Sequence, residues 1–189
     1  MKQVLLIGDS LRMGYCETVK ELLADRAEVV YPAENCRSST YIRCSLFNWS
    51  QLCDSTRTAV VQFGCGQWDT AHFDGDELPL VSLGEYTNNL RAIVRHLREY
   101  FPGAHLIFAT TTPMNPAGIE MRNPRTTEDI RRYNEAAKSV MAELSVEVND
   151  LFAAAEGWSE DSFIDYCHLK PEAYRALAEI VVRRIAKHL

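Results

Sequence analysis

Short apolar runs alternate along the chain with longer stretches whose apolar residues recur at helical spacing. Gln3–Ile7, Glu28–Tyr31, Ala59–Phe63, His105–Thr110 and a short Val146–Val148 read as strands. The first, third and fourth are largely continuous apolar runs rather than alternating ones, which suits strands buried on both faces of a parallel sheet. Helical periodicity is clearest in three places. Ser82-Leu83-Gly84-Glu85 forms a capping box ahead of Leu90, Ile93, Val94, Leu97 and Phe101, and Pro102-Gly103 ends that helix. A second helix starts near Thr126 or Thr127 and carries Ile130, Tyr133, Ala137, Val140, Met141 and Leu144. A third begins at Pro171, a favoured first-turn residue, and buries Tyr174, Leu177, Ile180, Val181 and Ile185. Weaker helical signals cover Tyr15–Leu23 and Thr40–Leu52.

This alternation predicts a three-layer α/β/α sandwich around a central five-stranded parallel sheet, with right-handed crossovers. At 189 residues, positions 1–189 are expected to form one domain. Thr70–Val81, Thr111–Arg125 and Ala155–His168 read as loops. In such sheets the ligand site lies beyond the carboxyl ends of the strands. Ser10, the Phe63–Asp69 segment and Thr110–Pro113 all follow strands and so share one rim.

Composition narrows the function classes. Hydrophobic residues make up 47% and charged residues 24%, with a net charge of −6. No basic stripe suits a nucleic acid, and no apolar stretch approaches the ~20 residues of a membrane span. The apolar run before Gly8 is shorter than the roughly 7–15 residues of a signal-peptide core, which predicts a cytoplasmic chain. Cys16, Cys36, Cys44, Cys53, Cys65 and Cys167 show neither paired spacing nor a metal-ligand pattern, so reduced thiols in or near the core are expected, with no metal and no cofactor.

The chemistry-bearing residues lie at the two ends. Ser10 stands in Gly8-Asp9-Ser10, where the first strand turns into a helix, and neighbouring backbone N–H groups could hold an oxyanion. A helix cap by Asp9 or Ser10 is the simpler role. Asp165 and His168 stand three apart in Asp165-Tyr166-Cys167-His168. There a carboxylate can fold back onto Nδ1–H of the imidazole and leave Nε2 to face a serine. Asp69 reads as a brace for its loop. Trp68, Trp158 and Phe73 suit either a pocket wall or loop anchors. His72 sits in a polar loop with no carboxylate at a defined spacing, and His96 and His105, on a helix and at a strand start, read as structural.

Together these blocks resemble the SGNH hydrolase superfamily, the GDSL esterases and lipases, over nearly the whole chain. Gly8-Asp9-Ser10 matches the first block and Asp165-Tyr166-Cys167-His168-Leu169 the last. Gly64-Cys65-Gly66-Gln67-Trp68-Asp69 looks like the third, Pro32-Ala33-Glu34-Asn35-Cys36-Arg37 falls at the second, and Phe108–Pro113 looks like the fourth strand and its loop. The resemblance implies a flavodoxin-like fold, a Ser10–His168–Asp165 triad and hydrolysis of a short-chain acyl or O-acetyl ester of a carbohydrate or small molecule. It also implies an oxyanion and substrate region around Asp9, Asn35, Cys36, Gly66, Gln67 and Trp68. Two positions depart from the pattern. Cys36 stands near a usual glycine, and Trp68 stands where Gly-x-Asn-Asp has its asparagine. The Ser10 and Cys36 N–H groups with the Asn35 side chain are the expected donors. An impaired, carbohydrate-binding protein on the same scaffold is the alternative. A nucleotide binder is disfavoured, because neither G-x-x-x-x-G-K-[ST] nor G-x-G-x-x-G occurs.

Overall fold

Five strands make one all-parallel sheet in the computed structural model, which describes residues 1–189. They are β1 (Lys2–Ile7), β2 (Ala27–Val30), β3 (Thr58–Phe63), β4 (His105–Ala109) and β5 (Glu147–Asn149). Their order is β2-β1-β3-β4-β5, the flavodoxin-like winding. Six α-helices connect and cover them: α1 (Ser10–Leu22), α2 (Ser39–Ser50), α3 (Leu83–Tyr100), α4 (Thr127–Glu143), α5 (Leu151–Ala155) and α6 (Pro171–Ile185). No helix is long and apolar enough to cross a membrane.

The apolar strands serve two cores, one on each face of the sheet. Leu5, Ile7, Val61, Phe63, Leu106 and Phe108 pack against α2, α3 and α4. Val4, Leu6, Val60, Ile107 and Ala109 pack on the opposite face with α1 and α6. Successive side chains of a strand point to opposite faces, so a strand covered on both sides is apolar at nearly every step. Gln62 of β3 is buried too, with Tyr15 and Asn149 as hydrogen-bond partners. The Ser82–Glu85 capping box is formed, as the sequence predicts.

Two boundaries differ from the sequence reading. The first helix begins at Ser10 rather than Tyr15, because the Asp9 carboxylate caps it by accepting from the Leu11 amide at 3.0 Å. The short helix α5 was not expected. Asp150 caps it through the Ala153 amide, and Leu151, Phe152 and Ala155 are its buried residues.

The chain moves from β1 to β2 on one side and then to β3 on the other. The point where this winding reverses lies between β1 and β3, where a crevice opens beyond their carboxyl ends. Ser10 leaves β1 there, and Gly64–Asp69 leaves β3.

Candidate active site

Ser10 is the first residue of α1, so its amide has no acceptor within the helix and points outward with the positive end of the helix dipole. Its hydroxyl lies 2.8 Å from His168 Nε2. On the other side of the ring, His168 Nδ1 lies 2.7 Å from Asp165 Oδ2. The second oxygen of Asp165 accepts the amides of Cys167 at 2.9 Å and His168 at 2.7 Å. The turn is thus wound around its own carboxylate. Burial raises the Asp165 pKa, but these amides and the His168 ring outweigh it and hold the carboxyl below its ordinary value.

This turn is anchored at both ends. Phe163 and Leu169, both buried, bridge antiparallel across its base, and Ile164 N–H donates to His168 O at 2.9 Å. Asn115, from the loop after β4, donates its Nδ2 to Asp165 O and its amide to Tyr166 O. The hydroxyl, imidazole and carboxylate therefore stand in series although Ser10 and His168 are 158 positions apart.

The second and third blocks need corrections. Asp9 is buried and turned inward onto the Leu11 amide, so it is a cap rather than a substrate contact. Burial raises its pKa, against the pull of the Leu11 amide and the charges of Arg125, Arg12 and His168. The Cys36 amide is also committed, donating to Gly8 O at 3.1 Å, and its thiol is buried beside Arg12. It therefore cannot donate to an oxyanion. Arg12 explains this arrangement. Its buried guanidinium donates to Gly8 O and, at 2.6 Å, to Glu34 O, so it ties the second block to the serine turn. Gly66 has φ +151°, and a Cβ there would stand 2.3 Å from Thr111 Oγ1. Its role is a close backbone approach.

Asn35, Gln67 and Trp68 do reach Ser10 and His168, with which they line a cleft of about 140 Å³. Asn35 Oδ1 accepts the Arg37 amide, which leaves its Nδ2 uncommitted. Gln67 is engaged at both ends of its amide: Nε2 donates to Thr112 O and Oε1 accepts Arg125 Nε at 3.0 Å. Trp68 stacks on Phe73 with centroids 5.8 Å apart. Trp158 instead packs against the α1/α6 core. Asp69 braces its loop, taking the Ser39 amide at the start of α2 at 2.9 Å and 3.2 Å. The His72 ring meets only its own loop, where Nδ1 donates to Asp76 O at 3.1 Å. Four of the six free thiols are buried, Cys53 is half-buried and Cys44 is exposed.

Asn123, Arg125 and Tyr166 complete the cleft and were not singled out from the sequence. Tyr166 lies inside the Asp165–His168 block, so its place could have been inferred. Arg125 and Asn123 end a proline-rich loop with no local pattern to mark them. His105, Glu147 and His188 form a separate cluster at the amino ends of β4 and β5, away from this cleft.

Comparison with known proteins bears on the family and the fold. The model of the GDSL-like lipase/acylhydrolase family matches residues 6–176. A GDSL esterase/lipase of Oryza sativa subsp. japonica is 31% identical over 134 residues, covering 66% of this chain and 51% of that protein. The match thus spans about half the length of the rice protein. A GDSL esterase/lipase of Arabidopsis thaliana is 24% identical over 200 residues, covering 96% of this chain and 77% of its own. Among solved structures, an acetyl xylan esterase superposes with a TM-score of 0.79 at 16% identity, covering 97% of this chain and 99% of that one. A carbohydrate acetylesterase from Sinorhizobium meliloti gives 0.75 at 16% identity, with both chains covered completely. At these identities the structures attest the fold, and the family match attests descent. With its serine at the first block and its aspartate and histidine at the last, the chain belongs to the GDSL-like lipase/acylhydrolase family of ester hydrolases.

Proposed function

We propose that this protein is a serine esterase that cleaves a carboxylic ester through an acyl-serine intermediate. The observation that carries the reading is the series Ser10 Oγ–His168 Nε2–Asp165, at 2.8 Å and 2.7 Å. His168 takes the Ser10 proton as the hydroxyl attacks the carbonyl carbon. It then returns that proton to the leaving alcohol. Asp165 fixes the tautomer and stabilises the imidazolium. Water, deprotonated by the same ring, releases the acid and frees Ser10. The Ser10 amide and Asn35 Nδ2 are the donors proposed for the oxyanion. No metal or cofactor enters the scheme.

The proposed substrate is a short-chain acyl or O-acetyl ester of a carbohydrate or small molecule. Its support is the cleft's lining of flat aromatic rings, Trp68, Phe73 and Tyr166, beside amide side chains at Asn35 and Asn123. That combination suits a polar ring with apolar faces. The solved relatives named for acetyl xylan and carbohydrate acetyl esters favour the same class. The test is release of acid from p-nitrophenyl acetate and from acetylated sugars. Ser10→Ala is expected to abolish it, and wild-type turnover by that variant would refute the mechanism.

A second reading has its own observation. Trp68 replaces the asparagine of the third block, and the Cys36 amide is engaged by Gly8. A carbohydrate-binding protein with impaired catalysis would result if the remaining donors did not suffice. Losing one donor typically costs on the order of 10²–10³ in rate. Rapid labelling of Ser10 by a fluorophosphonate excludes this reading, whereas sugar binding without labelling supports it.

A further inference from the structure

Arg125 lines the same cleft as Ser10 and His168, and it is half-buried. All of its partners are neutral. Nε donates to Gln67 Oε1 at 3.0 Å, while the terminal nitrogens have only the Asn123 carbonyl at 3.5 Å and the Cys167 sulfur at 4.0 Å. No carboxylate lies within ion-pair distance of it, although its charge is felt at buried Asp9. The neighbouring Arg122, by contrast, is paired with Asp74. Outside the cleft, exposed Arg37 lies over the rings of Tyr41 and Trp68, 5.0 Å and 5.8 Å from their centroids, and its charge acts on the nearby Glu34 carboxylate without an ion pair. Its backbone holds a φ of +50°, which a residue with a side chain rarely adopts. Two guanidinium groups without a direct ion pair thus stand near the cleft in a chain whose net charge is −6, Arg125 within it and Arg37 over the Trp68 ring.

We infer that the cleft selects esters that carry a carboxylate near the scissile bond, and that Arg125 is the residue that receives it. The inference rests on the esterase reading of the same cleft and narrows its substrate class. A partly desolvated cation with only neutral partners, and only long contacts at its terminal nitrogens, is electrostatically incomplete, and a ligand anion would complete it. Gln67 is itself fixed on Thr112 O and holds the Nε edge of Arg125. The plane of the guanidinium is therefore set, and its two terminal nitrogens are left for a bidentate carboxylate. The face of Tyr166, 5.3 Å from the guanidinium carbon, supports the same orientation. Asn123 lines the same cleft beside Arg125, whose Nη1 meets its carbonyl. Arg37 adds attraction from the rim.

The carboxylate can belong to either half of the ester, and the test has an arm for each. For the acyl half, monoethyl succinate is compared with ethyl levulinate, a neutral ester of similar shape. For the alcohol half, acetylated glucuronic acid is compared with acetylated glucose. In at least one arm the anionic ester should be preferred in kcat/KM by about tenfold or more, mainly through KM. Arg125→Met should bring that ratio close to one, and Arg125→Lys should retain part of it. A third measurement does not need turnover: titration of the whole protein with succinate and glucuronate, using glucose as the neutral control, should show anion binding that Arg125→Met weakens. The inference is overturned if neither arm prefers the anion and neither acid binds. It is also overturned if Arg125→Met leaves the preference intact, or if it lowers kcat equally for charged and neutral esters. Absence of fluorophosphonate labelling and of all ester turnover would refute the esterase reading instead, with the titration still deciding the anion site.

Discussion

At Asp165, burial and hydrogen bonding pull in opposite directions, and hydrogen bonding prevails. The carboxylate holds two amides of its own turn on one oxygen and the His168 ring on the other. An asparagine there keeps the size and can keep the amide contacts. It turns an N–H toward His168 Nδ1, however, which favours the wrong tautomer. Asp165→Asn should therefore lower kcat by about 10³–10⁴ while leaving the melting temperature nearly unchanged. Asn35 tests the oxyanion in the same way. Asn35→Ala should lower kcat by roughly 10²-fold with little change in KM, provided its free Nδ2 is the side-chain donor. A steady-state comparison on one ester checks both. Serine, aspartate and histidine could be picked out because each block announces itself locally. The committed amide of Cys36 could not, since its partner is a backbone carbonyl brought close by folding. Arg125 was equally hidden, because its partner Gln67 is 58 positions away.

The serine and the histidine belong to different elements, so their distance depends on how α1 sits against α6. The contact is made at Gly14, where a Cβ would fall 2.1 Å from the Tyr174 ring. That explains a glycine inside a helix, where it otherwise costs about 0.5–1 kcal/mol relative to alanine. The same glycine weakens the helical pattern near the start of α1, which is why periodicity alone located the helix from Tyr15 onward. Gly14→Ala gains helix propensity but forces the ring or α6 to move, an overpacking cost of typically 1–3 kcal/mol. The variant should melt lower by a few degrees, at about 2–4 °C per kcal/mol for a chain of this size. It should also lose kcat, because α6 follows directly on the turn that carries His168. Adding Tyr174→Leu should recover both. An unchanged melting temperature and rate in Gly14→Ala would show that this contact does not set the distance.

The architecture of the whole molecule was legible because a doubly covered sheet demands apolar residues at nearly every strand position, and such runs stand out against amphipathic helices. What escaped were features made by long-range pairing, among them buried polar groups whose cost appears only once they are enclosed. Asp69 was legible as a brace for its loop, but its distant partner and its enclosure were not. It ties the loop after β3 to the start of α2 through the Ser39 amide, and it is wholly enclosed. Burial raises its pKa to about 7 from 3.8, against the pull of the Ser39 hydrogen bonds. The folded protein therefore holds a proton here that the unfolded chain releases above about pH 4. In that range the native state binds more protons, so this group's contribution to stability falls as pH rises and levels off above about 7. The shift of roughly 3 units (7 − 3.8) corresponds to on the order of 4 kcal/mol at 1.36 kcal/mol per unit. Asparagine cannot ionise, yet its carbonyl can still accept the Ser39 amide. Asp69→Asn should then flatten the stability profile between pH 4 and pH 7 and raise the melting temperature at pH 8 relative to the parent. Asp9, whose pKa is also raised by burial, acts on Asp69 through its charge, so the difference reports Asp69 together with that coupling. Paired denaturant titrations across that range measure the effect, and parallel curves would show that Asp69 is ionised throughout and held by stronger bonds than the Ser39 contact provides.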